Sequence, residues 1–491
     1  MVRKAALFLL SAATLAGCAA APAVPPRATI SLANDVSPRG APSPVPPSSW
    51  WQLYRDADLD TAVREALADN RDLRVAAARL LQAHAVLSET RGQLAPQTSI
   101  TAGAGVGSTL QDQLVAINDR SRHIRTGPRI DLGGGVSWEW DLFGRLGSEI
   151  RNANAELRAS AATVDGVRVA VAAGVTGAWL DACGYGHGLE VARNSLALAE
   201  HSRDLSQKIL DAGAGTPIDV LRADALVAQQ QAAIPPLEAG RRNALAELAV
   251  LTGHPPEPFA SPAAACTTLP TIAAAVPTGD TTAMLRRRPD VREAEQRLAA
   301  STARIGVAVA DLYPRISIGA SAADSSPALG DLGSRRNVVW RFGPLLNWSF
   351  PNLAAARARV RQARAGEAAE LASFDAVILK ALKEVNQTGD VYRAVLERQA
   401  ALTTAARRSA LAAGRVAIQR SAGGATALEL LDAQRTSLDA QAALAQADLD
   451  VARAQIALFK ALGGGWEQAP PVDLPEPDAS RPPSSLTLSA K

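Results

Sequence analysis

The stretch RIDLGGGVSWEWDLFG, residues 129–144, carries two different faces. Every even position from 130 is apolar or glycine: Ile130, Leu132, Gly134, Val136, Trp138, Trp140 and Leu142. Every odd position between them is polar or glycine: Asp131, Gly133, Gly135, Ser137, Glu139 and Asp141. Strict alternation over this length marks a β-strand whose two sides meet two different environments. The question is which side meets oil, and whether that oil is protein or lipid.

Three further stretches repeat the pattern. Ile100, Ala102, Ala104 and Val106 oppose Ser99, Thr101, Gly103 and Gly105. Ile316, Ile318, Ala320 and Ala322 oppose Arg315, Ser317, Gly319 and Ser321. Val338, Trp340, Phe342, Pro344, Leu346, Trp348 and Phe350 oppose Asn337, Arg341, Gly343, Asn347 and Ser349, with Val339 and Leu345 breaking the rule. The four strands are expected at about 96–108, 129–142, 314–324 and 337–350. A soluble sheet resting on its own core would alternate in the same way. The tryptophans favour lipid: Trp138, Trp140, Trp340 and Trp348 fall near strand ends, where aromatic girdles of membrane barrels lie.

Four strands cannot close a barrel, and an open edge is not tolerated in lipid. Two chains would give eight strands and an interior filled by side chains; three would give twelve and leave a wet lumen lined by the small polar residues. The sequence therefore predicts a homotrimer with a pore.

The rest of the chain must connect this barrel to something distant. Arg129 to Thr216 contains no proline, and Asn352 to Ala469 contains none either. A helix from about 145 to 211 would be on the order of 100 Å long. Leu371, Phe374, Ile378, Leu382 and Val385 follow a coiled-coil seam. Pro235-Pro236 predicts a kink or interruption in the first return helix. The three glycines of CGYGHG, 183–188, predict a local irregularity in the first long helix, at roughly 1 kcal/mol each relative to alanine.

The chain is internally duplicated. LAPQTSITAGA (94–104) matches LYPRISIGASA (312–322), AGAGTPIDVLRA (212–223) matches AGGATALELLDA (422–433), and WDLFGRL (140–146) matches WSFPNLA (348–354). These pairs keep their order at nearly one spacing, far longer than solenoid repeats. Each half reads helix, strand, strand, very long helix, tight turn, long helix. We take 50–260 and 280–466 as the two repeats, 261–279 as their linker and 467–491 as a disordered tail.

The first 17 residues read as a secretory signal: a basic MVRK, then an apolar run too short to span a bilayer. Leu15-Ala16-Gly17-Cys18 resembles the lipobox of bacterial lipoproteins. That resemblance implies cleavage before Cys18, a diacylglycerol on its sulfur and an acyl group on its amine. Ala19 in the next position implies sorting to the outer membrane, and 18–49 becomes an extended, lipid-anchored tether. Only Cys183 and Cys266 then remain. Oxidising surroundings permit a disulfide between them, although two distant thiols are weak evidence for one.

Without the signal, 49 basic residues face 48 acidic ones, and no segment joins basic with aromatic residues as a nucleic-acid partner would require. There is no nucleophile–base set and no metal-ligand cluster; Cys183 and His187 share a helix face but lack a third ligand. No enzyme activity, catalytic residue, metal or diffusible cofactor is expected.

Trp51, Tyr54, Asp58-Leu59, Ala66-Leu67, Asn70, Asp72-Leu73, Ala77 and Arg79 follow the opening pattern of TolC-like outer-membrane factors in the NodT lipoprotein branch. LRRRPDVREAEQRLAASTARIGVAVADLYPRISI, 285–318, is similarly specific, and the resemblance covers about 50–466. It implies a mainly helical TolC-like fold: a trimer with a twelve-stranded outer-membrane β-barrel and a long α-helical periplasmic tunnel. The implied role is the passive exit duct of a tripartite efflux pump, with a periplasmic adaptor and an inner-membrane transporter as partners. The repeated turns would be hairpin tips that meet the adaptor, with Gly213 and Gly423 ending helices and Thr216 and Thr426 starting them. Leu428 and Asp432 look like the constriction of the tunnel. The competing class is a structural coiled-coil lipoprotein of the envelope, which leaves the strands without purpose.

Overall fold

The computed structural model describes residues 47–467, apart from 109, 121–122, 258, 273–280, 336, 349 and 351–352, together with 25–26, 469 and 472. The signal peptide, Cys18, most of the tether and nearly all of the tail lie outside the described residues. Two helices, α1 (Ala57–Asp69) and α2 (Arg71–Gly92), precede β1 (Gln97–Gly107). A short α3 (Leu110–Asn118) leads to β2 (Gly127–Trp140), then α4 (Arg145–Asp211) and α5 (Pro217–Leu251). The second half repeats this with α6 (Thr281–Arg287), α7 (Pro289–Ala310), β3 (Arg315–Ser326), β4 (Val338–Asn347), α8 (Leu353–Ser421) and α9 (Ala427–Ala461). No periodicity announces α3, whose nine residues are too few for a clear helical period.

The chain divides into two compact units. One is built chiefly on Leu81–Ala159 and Ala294–Asp375 and holds the sheet. Its strands pair antiparallel in sequence order, β1-β2-β3-β4, so β1 and β4 are its edges, unpaired on their outer sides among the described residues. Val136 faces Thr98 on one side and Ala320 on the other, and Ala320 in turn faces Phe342. Below the strands, Phe143 stacks on Tyr313 at 4.7 Å. Thr302 donates to Glu367 at 2.7 Å, fixing α7 against α8. Asp141 caps α4 by accepting from the Leu146 and Gly147 amides, while Arg145 grips Glu139 through two nitrogens, both at 2.8 Å. That bidentate grip sets the angle at which β2 hands over to its helix.

The other unit has a dense core, and here the residues of the family pattern acquire physical roles. Trp50 is buried and stacks on Phe459 at 4.7 Å. Buried Tyr54 donates to Gln455, whose amide reaches Tyr392; burial pushes the Tyr54 hydroxyl pKa well up, with Tyr392 adding to the shift. Asn70 accepts from the Leu73 amide, starting α2, and donates to the Leu251 carbonyl at the end of α5. Arg288 is buried and engages Asp290, Glu384 and the Ala461 carbonyl, so its charge is matched on every side. Arg292 pairs with Asp165.

Neither long helix of this unit is interrupted at its weak point in the sequence. α4 runs through CGYGHG without a break. The glycines instead serve close approach: a Cβ at Gly184 would stand 2.6 Å from Leu449, at Gly188 3.4 Å from Leu237, and at Gly186 2.1 Å from the Cys266 carbonyl oxygen. α5 likewise continues through Pro235 and Pro236, with Leu237 against Gly188 and Glu238 paired with Arg193 just beyond them.

The weak prospect of a disulfide turns out to be real: Cys183 and Cys266 are bonded. Gly186 leaves room for the linker to lie on α4, and Arg241 donates to the Ala264 and Cys266 carbonyls to hold it there. The Cys183 sulfur is therefore not available as a metal ligand beside His187. One prediction follows. Gly→Ala inside a helix normally stabilises by roughly 1 kcal/mol. Gly186→Ala should reverse that sign and destabilise by roughly 1–3 kcal/mol through overpacking. A lowered thermal midpoint checks it; a raised one would show that the linker moves aside freely.

Candidate functional site

Two regions carry the chemistry of a conduit, one in each unit. In the sheet, large hydrophobic side chains of the even positions are left exposed by the described residues. Ile100 is 85 % exposed, Trp340 74 % and Leu346 67 %, and Val136, Trp138, Trp140, Ile318 and Phe342 are exposed beside them. A soluble sheet would put this face on a core; a face of this kind left bare marks contact with lipid or another partner. The odd positions carry glycine and serine, and Arg341 donates to Ser321 across the same face at 3.0 Å.

The tryptophans sit where interfacial anchors are needed. Trp138 and Trp140 end β2 on the side where the chain enters α4, Trp348 follows β4 on the same side, and Trp340 lies toward the far end of β4. Trp138 donates its indole proton to the Leu94 carbonyl at 2.8 Å, and Trp348 donates to the Leu312 carbonyl at 3.2 Å. Both acceptors belong to the repeated turn before a strand. The acceptors are repeat counterparts but the donors are not, since Trp348 aligns with Trp140; each half nonetheless hooks one indole to the backbone before a strand, with its ring left on the apolar side. No helix among the described residues is long and apolar enough to cross a membrane.

The second region is the pair of hairpin turns. Gly213 and Gly423 take positive φ, +73° and +78°. The Ala214 amide reaches back to Ile209 and the Gly424 amide to Gln419, satisfying carbonyls at the ends of α4 and α8. Thr216 and Thr426 then form full capping boxes with Asp219 and Glu429. The Thr426 amide and hydroxyl hold the Glu429 carboxyl below its ordinary pKa. Hence both turns are built, not loose.

Above the second turn, Leu428 and Asp432 project one turn apart on α9, both exposed, while Leu430 and Leu431 are buried behind them. Leu431 packs with Ala199, Ala223, Leu226 and Val227. The structure pairs Asp432 with Arg435 at 3.1 Å, a partner not foreseen from the sequence. The i, i+3 spacing was the available signal. Ile218 and Leu221 were also missed: they stand exposed in the opening turns of α5, where a solvated helix would carry polar residues.

Comparison with known proteins agrees with this geometry. A family model described as outer membrane efflux protein matches the chain twice, over 62–254 and 282–464, one match per repeat. The pyoverdine export outer membrane protein OpmQ of Pseudomonas aeruginosa is 30 % identical, covering 85 % of this chain and 87 % of its own length. Nodulation protein T of Rhizobium leguminosarum bv. viciae is 29 % identical over 87 % of this chain and 86 % of its own. The structure of the outer-membrane channel OprN superposes with a TM-score of 0.82 at 35 % identity, covering 91 % of this chain and all of the other. The chain belongs to the outer membrane efflux protein family: it has the TolC-like channel fold and is a non-enzymatic efflux channel of the outer membrane.

Proposed function

We propose that three copies of this chain close one twelve-stranded barrel and form the exit duct of a tripartite efflux pump. The observation that carries this reading is a sheet with a bare apolar face and two unpaired edges, β1 and β4. Pairing β4 of one protomer with β1 of the next would remove every edge, as lipid demands. The glycine- and serine-rich face then lines the lumen, a surface too permissive to select cargo beyond small molecules such as drugs or toxic compounds. Signal cleavage and acylation at Cys18 would add a lipid anchor through the 18–49 tether.

The hairpin tips are the proposed contact for a periplasmic adaptor, which links the duct to an inner-membrane transporter. Gly213, Thr216, Gly423 and Thr426 fix their shape, and exposed Ile218, Leu221 and Leu428 supply apolar surface. Leu428 and Asp432 are the proposed constriction. Three Asp432 carboxylates converging in a trimer would repel one another and favour cations, with the exposed Arg435 pair, worth at most about 1 kcal/mol, moderating the ring.

Planar-bilayer recording tests the duct. The trimer should conduct, and Asp432→Ala should raise resting conductance several-fold. Absence of conductance even in tip variants would favour a structural coiled-coil lipoprotein. Cysteines at Thr216 and Thr426 should crosslink in cells to a periplasmic adaptor; capture of neighbouring protomers alone would count against the adaptor contact.

A further inference from the structure

α8 leaves the barrel with an unusual charge pattern. Its opening, LAAARARVRQARAG (353–366), contains Arg357, Arg359, Arg361 and Arg364 and no acidic residue. All four arginines are exposed. Arg359 lies 3.8 Å from Asp311, but Arg357, Arg361 and Arg364 have no ion-pair partner among the described residues. Their spacing of 4 and 3 puts these three on one helix face.

Local electrostatics disfavours this arrangement twice over. The N-terminal end of a helix is its positive pole, and α8 has no acidic residue in its first turn to offset that. Like charges one turn apart also repel. The matching start of α4 is neutralised: Arg145 is held by Glu139 and Glu149. The second repeat thus keeps a cationic stripe that the helix itself does not want, which points to an anion outside the chain.

Position identifies that anion. α8 begins six residues after β4, and Trp348 and Phe350 between them stack at 4.8 Å on the lipid side of the strand. The three arginines lie roughly 6, 12 and 17 Å along the helix axis from its start. Long side chains lean toward a helix N-terminus, here toward the bilayer, by about one turn, or 5.4 Å. The headgroup layer is about 5–7 Å deep on each side, and screening at physiological salt extends over about 8 Å more. All three guanidinium groups therefore fall within electrostatic reach of the headgroups.

We propose that Arg357, Arg361 and Arg364 bind the anionic phospholipid headgroups of the periplasm-facing leaflet, forming a lipid-selective belt under the barrel. The proposal rests on the barrel lying in the outer membrane, not on the gate or the adaptor. It is tested with the full mature chain in bilayers of phosphatidylethanolamine with or without phosphatidylglycerol, reading by native mass spectrometry which lipids stay bound on release. Each arginine near the surface should contribute roughly fivefold, so R357Q/R361Q/R364Q should lose on the order of a hundredfold of the preference for phosphatidylglycerol at low salt. The corresponding triple lysine variant, which keeps the charge, should retain it. Equal phosphatidylglycerol retention by wild type and the glutamine variant would overturn the proposal, as would loss of preference in the lysine variant. A glutamine variant altered only in ion selectivity would place the stripe on the lumen and overturn it too. Single-channel conductance of the same preparations reports separately on whether the duct itself is intact.

Discussion

Arginine at Val136 is expected to abolish assembly, while arginine at Ser137, its immediate neighbour, is tolerated. Val136 sits on the apolar face, flanked across the strands by Thr98, Ala320 and Phe342. Ser137 sits on the other face, beside Gln97, Gly319 and Gly343, where an extra side chain meets space and water. An arginine facing lipid costs about 2–4 kcal/mol per copy at the midplane and less toward the girdle at Trp138, so up to roughly 6–12 kcal/mol in a trimer. That is comparable to the whole net stability of a typical folded domain, about 5–15 kcal/mol. The amount of SDS-resistant trimer in the outer-membrane fraction reads the difference. Equal loss with both variants, or equal tolerance, would mean that the two faces do not meet lipid and water.

The second large effect concerns the disulfide. Cys183 and Cys266 are 83 residues apart, and the loop they close contains the whole first hairpin turn. Closing a loop of that length limits the unfolded chain, with a loop-entropy contribution of about 4–5 kcal/mol. Cys183→Ser with Cys266→Ser should therefore lower the thermal midpoint by several degrees, and a thiol reductant should do the same to the wild type only. Arg241 still holds the Ala264 and Cys266 carbonyls, so the linker should remain docked at low temperature. A midpoint unchanged by both treatments would show that the bridge adds nothing to stability.

What was legible in the sequence was periodic. Alternation revealed all four strands and which residues share a face; proline-free length revealed α4 and α8, and repetition revealed both turns. Thr216-Pro217-Ile218-Asp219 and Thr426-Ala427-Leu428-Glu429 are capping boxes that require only local backbone, which is why they appear where the sequence put them. The failures all depend on a second segment. Three glycines in α4 looked like weakness because nothing in CGYGHG announces that Leu449, Cys266 and Leu237 will press against them. Pro235 and Pro236 do not interrupt α5, which propensity alone does not foresee. Two cysteines far apart carry no spacing signal; the bridge depends on the linker lying against Gly186, a tertiary contact. The pairing of Asp432 with Arg435 follows the i, i+3 spacing of one helix face and so was legible in the sequence.

In the proposed assembly, four strands from each of three protomers share one closed wall. The mass of the detergent-extracted mature protein tests this. Particles of three chains that separate only when the sheet unfolds are expected. Particles of a single chain, soluble without detergent and keeping all four strands, would contradict it.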